Sequence, residues 1–206
     1  RPVSMKAKDF DDNGSIDPVA FAYFKGESGE YDSYPVNFWG DITKQSTLFR
    51  AKFNYFKEYA RSTEHTLLNE NDLEGAVKLT GNFDKTSFIE NLGNGKFKIH
   101  ELPFDAQVAP INDLVIKDVT GDGVFDIVGV GNDFGNGTFI GRLDGLNGLI
   151  LKGDGKGGFT AISAAESGFV APGDAKSVSQ VKSANGNPFF VVTQNRDSLL
   201  IFQKKM

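Results

Sequence analysis

The sequence contains no cysteine, only two histidines and a single tryptophan. The absence of cysteine excludes disulfide bonds and thiolate metal ligands. No apolar run approaches the ~20 residues that a membrane-spanning helix needs, so we predict no transmembrane segment in this chain. Acidic residues outnumber basic ones by 27 to 22, and the net charge of −5 argues against nucleic acid as a partner.

Glycine and phenylalanine, by contrast, are abundant, with 24 Gly and 19 Phe among 206 residues. Short strands that pack Phe side chains between sheets and are separated by Gly turns are typical of mainly β folds. The length suffices for one large domain or two small ones. Because the chain begins at Arg1 and shows no leader pattern, we interpret it as a processed chain or a fragment.

Two segments carry oxygen side chains at the same spacing. The first loop is residues 9–17 (DFDDNGSID), and the second loop is residues 118–126 (DVTGDGVFD). Each has oxygen side chains at positions 1, 3, 5 and 9 and Gly at position 6. Calcium takes six to eight oxygen ligands, and Gly permits the sharp turn that such a loop needs. The acid that closes an EF-hand loop is replaced by Ala20 and Gly129, and strands follow, so we predict calcium loops on a β scaffold.

Two further segments, 88–97 and 149–159, have the pattern of β-hairpins. Each has an apolar stretch, a turn with Asn-Gly or Asp-Gly, and a second stretch with Phe. These dipeptides favour hairpin turns because both central residues accept positive φ. A degenerate repeat follows when Gly186 is aligned with Gly123. The four loop positions are then Val181, Ser183, Asn185 and Phe189, and we expect no metal there.

Residues 41–76 lack the strand pattern and show apolar residues near helical spacing. We predict a small helical insertion, with Asp41 as an N-cap and with Asn71 and Glu74 as a capping box for its last helix. Four aromatic residues of this segment either form an exposed surface for sugar or protein or pack the insertion onto the strands, and we favour packing. They are Phe49, Tyr55, Phe56 and Tyr59.

The two loops and the Gly-rich hairpins together resemble the FG-GAP/VCBS repeat family, which occurs in integrin α-subunit propellers and in bacterial VCBS-repeat proteins of the CRTAC/ASPIC type. The resemblance covers most of residues 5–40 and 80–206. It implies β-propeller-type blades, about three in number, which either form part of a larger propeller or associate in another way. We therefore interpret residues 1–206 as one repeat region with units at about 1–110, 111–173 and 174–206, the first containing the helical insertion.

The resemblance also implies a structural Ca²⁺ in each loop. The ligands in the first loop would be the side chains of Asp9, Asp11, Asn13 and Asp17 and the carbonyl of Ser15. In the second loop they would be the side chains of Asp118, Thr120, Asp122 and Asp126 and the carbonyl of Val124. Thr120 departs from the Asp or Asn of the family pattern, which weakens the second site or leaves one ligand to water.

No catalytic constellation is visible in the sequence, and we predict a protein that is not an enzyme. The expected function is that of a calcium-stabilised, extracytoplasmic repeat protein that mediates binding or scaffolding of a protein or a glycan. The alternative is an accessory or partial region of a secreted hydrolase, because a pair of catalytic carboxylates has no local sequence signature. A third possibility is an assembly role in which open strand edges pair with another chain.

Overall fold

The computed structural model describes residues 1–138 and 140–203. Within these residues the structure is mainly β, as predicted, with thirteen strands in antiparallel sheets and a few short helices. The described sheets form neither a closed barrel nor a closed propeller ring. The chain divides into two compact units, Arg1–Asp84 and Lys85–Met206. In the described part of the chain, no helix has the length and apolar character needed to cross a bilayer.

The first unit contains a four-stranded antiparallel sheet in the order β3-β2-β1-β4. Its strands are β1 (Val3–Lys8), β2 (Asp17–Lys25), β3 (Tyr31–Pro35) and β4 (Val77–Gly81). The chain from β3 to β4 contains the helices, and β4 then pairs with β1 at the edge of the sheet. The helical segment is therefore an insertion between two strands of one sheet.

Four short helices form this insertion: α1 (Trp39–Gln45), α2 (Thr47–Lys52), α3 (Phe56–Ala60) and α4 (Glu64–Leu67). Their apolar residues pack against the middle of β2, where Val19 and Phe21 alternate with residues of the other sheet face. The buried cluster that results consists of Val19, Phe21, Ile42, Phe49, Tyr59, Leu67 and Leu68. The insertion is thus part of the core of the first unit.

Two details of the predicted insertion were wrong. Phe38 is the N-cap residue of α1, so Asp41 lies in the first turn instead. The last helix ends at Leu67, and residues 70–75 form turns rather than a helix with a capping box at Asn71. The physical reason is that Asp72 accepts a hydrogen bond from the N–H of Asn69 and also pairs with Lys52, which closes the chain into a turn.

The aromatic residues of the insertion have two different environments. Phe49 and Tyr59 are buried, as expected for residues that pack the helices onto the sheet. Tyr55 and Phe56 are 70% and 65% exposed. The packing interpretation is therefore confirmed for one pair and wrong for the other.

The second unit contains three antiparallel sheets. A hairpin joins β5 (Ser87–Gly93) to β6 (Lys96–Glu101), and a four-stranded meander contains β7 (Ile111–Lys117), β8 (Asp126–Gly131), β9 (Leu149–Gly153) and β10 (Phe159–Ile162). The third sheet contains β11 (Ala175–Lys182), β12 (Pro188–Gln194) and β13 (Leu200–Phe202), and a short helix α5 (Ala164–Ser167) precedes it. Both predicted hairpins are present, as β5–β6 and β9–β10.

The degenerate repeat differs from the two loops in its register. Val181 pairs directly with Phe189, so both residues lie inside strands and only residues 183–187 connect them. The aligned positions therefore do not form a loop of the same length as the first two. The boundary between the compact units falls at Asp84, and the division into three sequence units stays a prediction.

Candidate metal centre

The first and second loops occupy the same place in their respective sheets. The first joins β1 to β2, with Lys8 paired to Asp17. The second joins β7 to β8, with Lys117 paired to Asp126. In both cases the last aspartate of the motif is the first residue of the returning strand. Equal spacing in the sequence therefore gives equal hairpin connections in the structure.

The backbone of both loops is held by the aspartate at position 1. The carboxylate of Asp9 accepts a hydrogen bond from the N–H of Gly14 at 2.7 Å, and that of Asp118 accepts one from Gly123 at 2.9 Å. Both glycines have a left-handed backbone, with φ of +88° and +85°. This conformation is strained for other residues, which explains the Gly at position 6.

Positions 5 and 9 also make equivalent contacts. The side-chain oxygen of Asn13 accepts from the N–H two residues later at 2.8 Å, and Asp122 does the same at 3.0 Å. Asp17 accepts from the N–H of Phe10 at 3.0 Å, while Asp126 accepts from the corresponding N–H, that of Val119, at 2.9 Å. The sequence motif therefore specifies one backbone arrangement twice.

The centre of the first loop brings three carboxylates together. One oxygen each of Asp9, Asp11 and Asp17 lies within 4.8 Å of the other two. This is the only such group of acidic, His or Cys side chains among residues 1–138 and 140–203. Asp17 is completely buried, and the Oδ1 atoms of Asp17 and Asp11 have no hydrogen-bond donor. A buried carboxylate oxygen without a donor is costly unless a cation or a proton compensates it.

The electrostatics of Asp17 reflect this crowding. Burial raises the pKa of Asp17 above its ordinary value, and the nearby carboxylates of Asp11 and Asp9 contribute to the rise. The N–H of Phe10 and the hydroxyl of Ser46 act in the opposite direction but do not cancel it. Among the described residues, no Lys or Arg forms an ion pair with any of the three carboxylates. The first loop therefore contains negative charge that the protein itself does not neutralise.

Asp11 also connects the first loop to the helical insertion. Its Oδ2 atom accepts hydrogen bonds from the N–H and the hydroxyl of Thr47, at 2.7 and 2.8 Å. These bonds to Thr47 are the main reason why the pKa of Asp11 is lowered. The neighbouring Phe10 packs edge-on against Phe49 of α2, with ring centroids 5.6 Å apart. Oδ2 of Asp11 thus holds α2, while Oδ1 is buried without a donor.

In the second loop, the carboxylates are satisfied by the protein. Lys152 of β9 forms an ion pair with Asp122 at 2.9 Å, and this contact lowers the pKa of Asp122 and raises that of Lys152. The Oδ1 atom of Asp126 accepts a hydrogen bond from the N–H of Gly153 at 3.1 Å. The equivalent Oδ1 atom of Asp17 in the first loop has no donor. Asp118 accepts two backbone N–H groups. Here an ammonium group and backbone amides compensate the negative charge.

The sequence motif identified the loop residues but not their partners. Thr47 and Lys152 lie 36 and 30 residues from Asp11 and Asp122. Thr47 lies in a helix, Lys152 lies in a strand, and neither belongs to a recognisable pattern. Only the pairing of β8 with β9 brings Lys152 to the second loop. The metal-ligand roles of all the loop residues, the aspartates as well as Asn13, Ser15, Thr120 and Val124, stay predictions.

No protein-family model matches this sequence, and no curated protein or solved structure is significantly similar to it. The resemblance to FG-GAP/VCBS repeats therefore stays a prediction.

Proposed function

We propose that this chain is a calcium-stabilised β-repeat protein that binds a protein or glycan partner outside the cytoplasm. The observation that carries the proposal is the convergence of Asp9, Asp11 and Asp17, two of which have a buried Oδ1 atom without a donor. Carboxylate oxygens are the ligands that hard divalent cations prefer. A calcium ion at this point would neutralise the repulsion, which costs about 1 kcal/mol per pair of charges at 4 Å in water and more when the groups are buried.

The remaining ligands of this site would be the side chain of Asn13 and the carbonyl of Ser15. The calcium ion would have a structural role, because the loop that holds it joins two paired strands and contacts α2. Loops of this kind in extracellular modules bind calcium at roughly 0.1–1 mM, a concentration that is not reached in the cytosol. An extracytoplasmic location would supply calcium at this concentration. In the second loop, calcium would have to compete with Lys152 for Asp122.

A repeat architecture of the propeller-blade type is supported by the β7–β10 sheet. It is a four-stranded antiparallel meander, the arrangement of a propeller blade, and the second loop joins its first two strands. The first loop has the same position between β1 and β2. We propose that both sheets derive from the same repeat, with the helical insertion as an addition to the first.

The helical insertion is the proposed binding surface. Tyr55 and Phe56 are adjacent, and each exposes about two thirds of its surface, while Tyr59 is buried and Phe53 is partly buried. Exposed aromatic side chains are common at contacts with proteins and sugars, because they provide large rigid surfaces at little entropic cost. Replacement of both by serine should abolish any signal on a glycan array or partner capture without changing calcium binding.

Calorimetric titration of the chelator-treated protein with calcium tests the metal site. We expect heat from binding at the first loop, a much weaker response to magnesium, and loss of the first-loop signal in Asp17→Asn. Asp126→Asn is the matched control, because it makes the equivalent change in the second loop and leaves the first intact. Absence of any calcium heat in the unmodified protein would refute the proposal. The variant Asp9→Ala combined with Asp118→Ala should lose every calcium effect.

A further inference from the structure

The contacts of Asp11 and its neighbours connect the proposed cation site to the first turn of α2. Asp11 accepts two hydrogen bonds from Thr47, and Ser46, the N-cap residue of α2, is buried beside it. Phe10 lies between Asp9 and Asp11 in the sequence, and its ring packs on Phe49 of α2. The hydroxyl of Ser46 also acts on Asp17, where it opposes the rise in pKa that burial causes, so the N-terminus of α2 faces two carboxylates of the cluster.

From α2 the contacts continue into the rest of the insertion. Phe53, the C-cap residue of α2, contacts Tyr59 of α3 with ring centroids 5.8 Å apart, and both rings contact Trp39 of α1. The exposed Tyr55 and Phe56 lie between Phe53 and Tyr59 in the chain. The geometry of α2 therefore affects the residues that we assign to partner binding.

On the basis of the proposed cation site, we propose that Asp11 couples cation binding in the first loop to the order of the helical insertion. The two oxygens of Asp11 differ, because Oδ1 is buried without a hydrogen-bond donor and Oδ2 accepts from Thr47. If α2 separates from the loop, Asp11 loses the bonds that fix its orientation. A cation that needs Asp11 in this orientation therefore stabilises the closed state of α2, and the helices stabilise the site in return.

The expected size of the effect follows from linkage. If opening of α2 disrupts the site, calcium at a hundredfold excess over its Kd reduces the open population by about hundredfold. Amide hydrogen exchange measures this population directly. The amides of residues 46–52 should therefore exchange up to about hundredfold more slowly in calcium than in chelator, while those of β12 in the second unit serve as an internal reference.

Position 47 provides variants that remove the coupling without removing a cation ligand. Thr47→Val deletes the hydroxyl donor and keeps the N–H. Thr47→Pro deletes both donors, and proline is compatible with the first residue of a helix, especially since the preceding Ser46 has an extended backbone (φ −143°, ψ 138°). Thr43→Val is the matched control, because it removes a hydroxyl bond inside α1 that does not reach the loop.

The experiment compares calorimetric calcium binding and hydrogen exchange in four proteins: the unmodified protein, Thr47→Val, Thr47→Pro and Thr43→Val. We expect the calcium effect on residues 46–52 to be about tenfold smaller in Thr47→Pro, intermediate in Thr47→Val and unchanged in Thr43→Val. The fluorescence of Trp39, the only tryptophan, verifies that each variant is folded. Calcium binding without slower exchange at residues 46–52, or equal slowing in all four proteins, would overturn the coupling and leave the cation site intact. Absence of binding would refute both proposals.

Discussion

The first and second loops have the same spacing, the same strand register and the same glycine conformation, yet they treat their carboxylates differently. In the first loop, two Oδ1 atoms have no donor and the nearest element is a helix that offers N–H and hydroxyl groups to Asp11. In the second, the ammonium group of Lys152 and the N–H of Gly153 reach the loop from the neighbouring strand. The motif thus determines the backbone of the loop, while the neighbouring elements determine whether the charge of its carboxylates is compensated.

This difference explains why the same motif supports a cation site in one place more strongly than in the other. Three carboxylates without a counter-charge repel one another, and a cation or a proton would relieve this repulsion. A loop that already contains a lysine is stable without one. The comparison therefore gives opposite expectations for equivalent mutations, and these are the most direct way to test it.

The largest expected contrast is between Asp126→Asn and Asp17→Asn in the presence of chelator. Both oxygens of Asp126 accept backbone N–H groups, so an amide nitrogen at either position leaves a buried donor unpaired. We expect a loss of about 1–3 kcal/mol in the free energy of unfolding. In Asp17→Asn the new amide can face the other carboxylates, and removal of the charge should leave stability unchanged or raise it by about 1 kcal/mol.

Urea denaturation measures both effects. The fluorescence of Trp39 follows the first unit, and far-UV circular dichroism follows the whole chain. In millimolar calcium, Asp17→Asn should be less stable than the unmodified protein, because the variant lacks the stabilisation that calcium provides. Equal destabilisation by the two substitutions in chelator would mean that the loops do not differ in charge balance.

A smaller effect, and one that should be equal in both loops, is expected for Gly14→Ala and Gly123→Ala. An added Cβ meets no atom within 4 Å at either position, so the cost comes from the positive φ alone. We expect each substitution to destabilise its unit by about 1–2 kcal/mol. Gly137→Ala is the control, because its surroundings are equally open and its φ is not in the left-handed region. Unequal costs would show that the loop backbones differ.

The sequence predicted the parts of the fold that depend on local chemistry. Turn residues such as Asn94 and Gly95 adopt the positive φ that a tight hairpin needs, and the hairpins formed as predicted. The helical insertion was also visible in the spacing of its apolar residues. Its limits were not, because the turn around Asp72 depends on Lys52, a contact between residues that are distant in the chain.

The candidate site was predictable to the same extent. The motif identified Asp9, Asp11 and Asp17, whose convergence follows from the turn of the loop and the register of β1 with β2. It could not show which carboxylate oxygens have donors. That property depends on Thr47 in the first loop and Lys152 in the second, and both are placed by the packing of other elements.

The smallest change in stability is expected for Lys152→Met. This variant should instead change calcium binding at the second loop. The ion pair with Asp122 is half exposed, so its loss should cost at most about 1 kcal/mol in chelator. The loss leaves one oxygen of Asp122 without its ammonium partner, which gives the second loop a charge imbalance similar to that of the first. We expect calorimetry to show a second calcium site, or a tighter one, in this variant.

Lys156→Met, in the turn that follows β9, removes the same charge without touching the second loop and should leave calcium binding unchanged. If Lys152→Met and Lys156→Met bind calcium alike, the lysine is not what separates the two loops, and the difference must come from the N–H of Gly153 at the buried Asp126.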